Sequence, residues 1–377
     1  MKIALVCDFY RPAIGGVNKV VEELAERYTK LGHEVHVYCS DWDKTKRIKI
    51  KDEVINGVHV HRCFHIFRAV NFITLWPGVL WGLFSKKFDI IHSHLSFHPH
   101  SFFAALVAKI SGVSHIHTTH CPWSDARRSL FGKIMLNVGY QTFIKAVFKW
   151  NDRIIAITPW EIQFIKEHGG DESKIVYIPN GMDKSFFSRI KNNDFKKRLG
   201  IKGKLVLYFG RLNETKGPDK FVLAAKEILK DRNDITFVIR GPDEGMRETV
   251  KRLIGNEKKI ILMEPTRDKQ EILKTYQAAD VYALPSYREG LPLTLFEAFA
   301  SGLPVVASPV NGVPYEMEDG KNGIFVNYGD IQGLKKAISK ILDDKKLTSK
   351  FKKNNIEKAK KYDWDIIARK TLEVYKK

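Results

Sequence analysis

Val281-Tyr282-Ala283-Leu284-Pro285-Ser286-Tyr287-Arg288-Glu289-Gly290-Leu291-Pro292-Leu293-Thr294-Leu295-Phe296-Glu297 is the stretch from which the fold can be read. Its first four residues are apolar and predict a buried strand. Pro292 suits the first turn of a helix, where the N–H it lacks would be unpaired anyway. Strand, turn and helix in this order form half of a parallel crossover unit. Glu289 and Glu297 then sit where the carboxyl ends of a parallel sheet open onto a crevice. The first-turn amides of Leu293, Thr294 and Leu295 would point outward, ready for an anion. Acids beside a phosphate site suit a ligand that carries both hydroxyls and phosphates, as a nucleotide-sugar does.

The same alternation runs twice through the 377 residues. One series starts with strand Ile3–Cys7, helix Gly16–Leu31 and strand Val35–Cys39. It continues through strand Val58–His61, a helix around Phe72–Phe84 and a helix near Leu130–Trp150, and ends at strand Ile175–Ile178. The other opens at Leu205–Gly210 and passes through helix Pro218–Leu229 and strands Thr236–Arg240 and Ile260–Met263 to the stretch quoted above. The expected fold class is α/β, with two doubly wound Rossmann-like domains facing a central cleft. Expected boundaries are 1–183 for the first domain, 184–203 for a polar hinge, 204–362 for the second domain and 363–377 for a C-terminal helix. That helix either caps the second domain or returns to the first.

Apolar residues at 44% and charged residues at 28% are ordinary globular values and exclude a disordered chain. Cys7, Cys39, Cys63 and Cys121 form no Cys-x-x-Cys pair, so reduced thiols and a cytoplasmic setting are expected. Met1–Val6 predicts a strand and is too short for a leader, and no apolar run reaches the roughly 18 residues of a membrane span. The net charge of +20 favours anionic partners. Its lysines and arginines are spread along the chain without a recognition motif, so no nucleic acid is expected.

Five phrases in order resemble the family 4 glycosyltransferases, retaining enzymes of the GT-B architecture. They are Asp8-Phe9-Tyr10-Arg11-Pro12 with Gly15-Gly16-Val17; Gly32-His33-Glu34-Val35; Ile178-Pro179-Asn180-Gly181-Met182-Asp183; Gly210-Arg211-Leu212 with Lys216-Gly217; and Pro285-Ser286 through Glu297 to Ala300-Ser301-Gly302-Leu303-Pro304-Val305. The resemblance implies an N-terminal acceptor-binding domain and a C-terminal domain that binds a nucleotide-sugar. It also implies transfer of a hexosyl group from a UDP- or GDP-sugar to a hydroxyl of a glycan, lipid or lipid-linked acceptor. No cofactor is required beyond the donor, which is a co-substrate. A sugar-nucleotide epimerase of the same architecture stays open as an alternative, as does a basic nucleic-acid-binding protein.

Leaving of the nucleoside diphosphate concentrates negative charge, and Arg211 and Lys216 stand where they would meet it. A guanidinium can hold two phosphate oxygens at once, and an ammonium adds a compact charge. Glu297 is expected to accept from ribose hydroxyls and Glu289 to face the donor sugar. Gly290, Leu291, Leu293 and Thr294 complete that contact. Gly15 and Gly16 let backbone amides approach a ligand closely, while Gly210, Gly241, Pro265 and Thr266 are expected to frame diphosphate or base. The family often has a histidine beside the transferred sugar, and here that residue is His120. The expected catalytic set is His120, Arg211, Lys216 and Glu289.

Seven histidines (His92, His94, His98, His100, His115, His117 and His120) crowd one region. Zinc is their sharp alternative, yet no carboxylate or thiolate joins them at the usual spacing in sequence, and no metal site is expected. Asp41-Trp42-Asp43 reads as a surface turn. Residues Val70 to Phe88 hold Phe72, Leu75, Trp76, Val79, Leu80, Trp81, Leu83 and Phe84 ahead of Lys86-Lys87, and Trp123 precedes Arg127-Arg128 and Lys133. Aromatics beside cations suit an anionic membrane surface, a peripheral site at the inner face, or an internal packing helix.

Overall fold

The computed structural model describes residues 1–43, 45–69, 73–121, 123, 134 and 137–376. The chain divides into two units, Met1–Asn180 with Trp364–Lys377, and Gly181–Asp363.

Unit one contains β1 (Lys2–Val6), α1 (Gly16–Lys30), β2 (Glu34–Ser40), β3 (Asp52–Ile55), β4 (Val58–Cys63), β5 (Phe67–Ala69), β6 (Ile73–Leu75), α2 (Gly78–Phe84), β7 (Ile90–His94) and α3 (Pro99–Ser111). After these come β8 (Ser114–Thr118), α4 (Lys145–Trp150), β9 (Arg153–Ala156), α5 (Ile162–Glu167) and β10 (Ile175–Tyr177). Eight strands form one sheet in the order β10-β9-β8-β7-β1-β2-β4-β3. All pairs are parallel except β3 on β4. Strand order therefore reverses between β1 and β7, which creates a crevice at their carboxyl ends. Near-continuous burial along β1, β2 and β7 is what a parallel sheet covered on both faces requires.

Unit two holds α6 (Phe195–Arg198), β11 (Lys204–Phe209), α7 (Pro218–Leu229), β12 (Ile235–Arg240), α8 (Arg247–Ile254), β13 (Ile260–Met263), α9 (Lys269–Ala278) and β14 (Val281–Leu284). It continues with α10 (Leu293–Ala300), β15 (Val305–Ala307), α11 (Val313–Glu316), β16 (Gly323–Phe325), α12 (Ile331–Asp343) and α13 (Lys345–Ala359). Its six parallel strands run β13-β12-β11-β14-β15-β16, so the reversal lies between β11 and β14. Both sheets are doubly wound, as the alternation of strand and helix patterns predicts. Residues 184–203 are docked on unit two: the Ile190 amide donates to Gln277 at 2.9 Å and Lys274 pairs with Asp194 at 2.8 Å. The last helix, α14 (Trp364–Tyr375), belongs to unit one. There Arg27 bonds Asp365 at 2.7 Å and the Tyr375 hydroxyl lies 2.7 Å from His92 Nδ1.

The helix expected around Phe72–Phe84 is shorter than its sequence suggests. Ile73–Leu75 is a strand paired with Phe67–Ala69, and the helix starts only at Gly78. Pro77 disfavours helical backbone at Trp76, which explains the late start. Trp76, Val79 and Leu83 are core residues, so most of this apolar run packs inward. Trp81, 80% exposed, and Phe84, 47% exposed, face solvent. Trp123 is also buried, its indole donating to Glu161 at 3.1 Å, which removes it from a headgroup role. Phe72, Arg127, Arg128 and Lys133 lie outside the described residues. Among the described residues no helix is long and apolar enough to cross a membrane.

Candidate functional site

Lys216 is placed by a local device that sequence alone only hints at. The Asn213 side chain accepts from the Lys216 amide at 3.2 Å and from the Thr215 hydroxyl at 2.9 Å, closing a tight turn after β11. Gly217 follows with φ 64, and a Cβ there would meet the Pro285 carbonyl at 2.1 Å. Only glycine permits that approach. The loop after β11 is thereby pressed onto the loop after β14, and the Tyr287 amide donates across to Thr215 at 2.8 Å. Lys216 Nζ then reaches Glu289 Oε2.

Glu289 is 3% exposed. Its other oxygen accepts from the Ser286 hydroxyl at 2.6 Å, and its amide donates to Asn311 at 3.3 Å. Burial pushes the Lys216 ammonium below the ordinary lysine value, while Glu289 pulls in the opposite direction. Arg211, four residues beyond the Leu207 register position that pairs with Tyr282, donates to Glu244 at 2.7 Å. Glu244 also accepts from Asn213 at 2.9 Å. Glu244, Asn213 and Asn311 are absent from the sequence reading, and Ser286 stands there only as part of a family phrase, without a role. Their signal was spatial, because each lies in a different loop.

Helix α10 begins one residue later than expected. Pro292 caps it with ψ 122, so it lies just outside the first turn. Leu295 donates back to the Pro292 carbonyl at 3.1 Å, which removes its amide from the expected anion-binding set. Leu293 and Thr294 remain in the first turn, where intrahelical acceptors are missing. The Thr294 hydroxyl accepts from Tyr282 at 2.8 Å, and Glu297 accepts from Tyr276 at 2.8 Å. Gly290 and Leu291 bridge Glu289 to this helix, Leu291 being buried.

Gly210 and Gly241 meet each other. A Cβ on Gly241 would lie 1.8 Å from the Gly210 carbonyl oxygen, so close loop packing accounts for that glycine. Pro265 and Thr266 follow edge strand β13, where the Thr266 hydroxyl accepts from the Asp268 amide at 3.1 Å. In unit one Gly15 caps α1 with extended backbone and Gly16 is its first residue. Among the described residues a Cβ on Gly16 would meet nothing within 4 Å, so none of them demands glycine there by packing.

The histidine group separates by strand alternation. His92 bonds Thr118 at 2.8 Å, and His94 lies 3.0 Å from His120. Ser93 instead reaches His115 at 2.9 Å and His117 at 2.8 Å. Burial pushes the His120 imidazole down to about 3, so it is neutral at physiological pH. His120 and Cys121 both adopt left-handed backbone, φ 60 and 54, a conformation costly for side-chain-bearing residues. His98 and His100 belong to neither row. They lie against Asp8, 3.3 Å and 4.0 Å from its two oxygens. A carboxylate does therefore join the histidines, from ninety positions earlier in the chain than His98. Asp41 also departs from the surface-turn reading. It is buried and bonded to Arg47 at 2.8 Å, whereas Asp43 closes a turn onto the Thr45 amide at 2.8 Å.

Comparison with known proteins agrees with this architecture. Residues 190–358 match the profile of glycosyl transferases group 1, and residues 14–186 match glycosyltransferase family 4. The UDP-Gal:alpha-D-GlcNAc-diphosphoundecaprenol alpha-1,3-galactosyltransferase of Escherichia coli is 31% identical over 89% of this chain and 87% of its own. A D-inositol 3-phosphate glycosyltransferase of Corynebacterium aurimucosum is 27% identical over 96% and 90% respectively. Among solved structures, Anabaena HepE in complex with UDP and glucose superposes with TM-score 0.81 at 20% identity, covering 100% of this chain and 99% of its own.

Proposed function

This chain belongs to glycosyltransferase family 4, and from that premise we propose a hexosyl transfer that retains anomeric configuration. The donor is a UDP- or GDP-sugar, and the acceptor is a hydroxyl of a glycan, lipid or lipid-linked sugar. The pairing of Lys216 with Glu289 across the reversal of the second sheet carries this reading. A departing diphosphate gains charge in the transition state, and preorganised cations stabilise it most where water is excluded. Lys216 would exchange part of its contact with Glu289 for a phosphate oxygen, freeing Glu289 to accept from a donor-sugar hydroxyl. Arg211 would hold a second oxygen, and the Leu293 and Thr294 amides would add their dipoles. Glu297, one oxygen already on Tyr276, would take the ribose hydroxyls. Neutral His120 would hydrogen-bond the transferred sugar.

In this scheme the leaving group's charge is met by side chains and backbone, without a metal at the diphosphate. The acceptor attacks the face from which the diphosphate departs, as the family resemblance implies. A lipid-linked acceptor draws support from the E. coli relative, whose name specifies a diphosphoundecaprenol substrate. Exposed Trp81 and Phe84, followed by Lys86-Lys87, favour contact with an anionic bilayer at the cytoplasmic face. Flotation with anionic vesicles at low salt tests that contact, and protein left at the bottom removes it.

The deciding experiment is a thermal-shift panel of nucleotides and nucleotide-sugars. At one hundred times its dissociation constant the true donor should add about 2.7 kcal/mol of stability. A panel without any shift would overturn the proposal. With the donor known, NMR of the product reads the configuration, and an inverted product removes retention. Conversion of the donor without any acceptor would favour an epimerase.

A further inference from the structure

The first sheet has its own strand reversal, between β1 and β7, and three buried atoms without hydrogen-bond partners converge there: Asp8 Oδ2, His98 Nδ1 and His100 Nδ1. One ligand atom from each residue lies within 4.8 Å of the other two. We propose that Asp8, His98 and His100 bind a divalent transition-metal ion of the zinc class.

The protonation pattern supports a cation. His100 Nε2 lies 2.8 Å from the His94 carbonyl, which can only accept, so Nε2 carries the proton and Nδ1 presents its lone pair. That lone pair faces Asp8 Oδ1 at 4.0 Å. Two buried acceptors facing each other repel unless positive charge lies between them.

The donor set selects the ion. Two imidazoles and one carboxylate suit zinc and its neighbours, whereas calcium and magnesium take mainly oxygen ligands. Tetrahedral bonds of about 2.0–2.1 Å would set the ligand atoms roughly 3.4 Å apart. His98 Nδ1 already lies 3.3 Å from Asp8 Oδ2, and the three ligand atoms, all within 4.8 Å of one another, would draw together around the ion. An outer layer is also in place. Asp8 Oδ1 accepts from the Thr74 hydroxyl and, at 3.4 Å, from the Trp76 indole, and the His94 carbonyl orients His100. Such partners fix ligand orientation in metal sites. Three protein ligands leave one position open, and His98, with 12% of its side chain exposed, is the ligand nearest solvent.

The test is titration of chelator-stripped full-length protein with Co²⁺, followed by visible absorption and displacement with Zn²⁺. One equivalent should bind with the absorption of a tetrahedral site, and thermal stability should rise. His98→Ala should weaken binding by more than about 100-fold, beyond the 10- to 100-fold expected when Thr74→Val disturbs only the outer layer. His61→Ala, in the separate His36–His59–His61 stack, should bind as the unaltered protein does. Melting of each variant in chelator establishes that it folds, and Thr74→Val carries the test should His98→Ala not fold. Full Co²⁺ affinity in both His98→Ala and Thr74→Val, or loss in His61→Ala instead, would overturn the site. So would no binding to the unaltered chain at millimolar Zn²⁺.

Discussion

Lys216 Nζ and Glu289 Oε2 form an ion pair across the strand reversal of the second sheet, joining the loop after β11 to the loop after β14. Their side chains are 15% and 2% exposed, so the pair is largely withdrawn from water. Truncating one member strands the other charge, at a cost of about 3–5 kcal/mol. Lys216→Ala should therefore lose stability as well as turnover, the latter by ~100- to 1,000-fold. Adding Glu289→Gln should restore most of the stability and none of the activity. Denaturant unfolding run beside turnover separates the two effects. Near-normal turnover in Lys216→Ala would remove its catalytic assignment.

Arg211 stands differently, 35% exposed and paired with Glu244. A partly exposed pair is worth about 0.2–1 kcal/mol, so a diphosphate can compete for the guanidinium. Glu244→Gln should tighten UDP or GDP binding by at most about fivefold. Arg211→Ala should weaken it about 10- to 100-fold, the value of a charge-assisted hydrogen bond. Calorimetric titration at one salt concentration checks both. Unchanged affinity in Arg211→Ala would show that the diphosphate does not use this residue.

The doubly wound architecture was legible because buried parallel strands and their crossover helices carry opposite periodicities over long spans. The hairpin of β5 and β6 escaped notice because each strand has three residues, too few for alternation to show. Lys216 and Glu289 could be picked out singly, each within a recognisable phrase. Their pairing could not, because Gly217 against the Pro285 carbonyl acts through space. Asp8 escaped association with His98 and His100 for the same reason: β1 and β7 are neighbours in the sheet and far apart in the chain.

Gly16 and Gly241 look alike in sequence and should behave in opposite ways. Alanine at Gly241 would drive its Cβ into the Gly210 carbonyl, costing about 1–3 kcal/mol of strain. Alanine at Gly16 meets none of the described residues at the head of α1, where it should add up to about 0.5–1 kcal/mol. If backbone amides at Gly16 approach a ligand, the stabler Gly16→Ala protein should still bind or turn over substrate poorly. Melting curves together with kcat/KM decide the matter. Full activity in Gly16→Ala would make this glycine a mere turn residue.

His115 gives the acid response of unit one a definite sign. Burial pushes its imidazole down to about 4, with Asp152 opposing the shift weakly, whereas the unfolded chain titrates near the ordinary 6.5. Between these values the unfolded state binds the extra proton. Stability is therefore complete above about pH 6.5 and is lost as pH falls through about 4, by of order 3 kcal/mol for this residue. His115→Asn removes the proton site while sacrificing some packing, so the slope is the informative quantity. Urea unfolding in half-unit steps from pH 7 to 4 should show proton uptake on unfolding reduced by about one near pH 5. Identical slopes in the two proteins would mean that His115 is already protonated in the fold, with its buried Nδ1 finding a partner on Asp152 or in solvent.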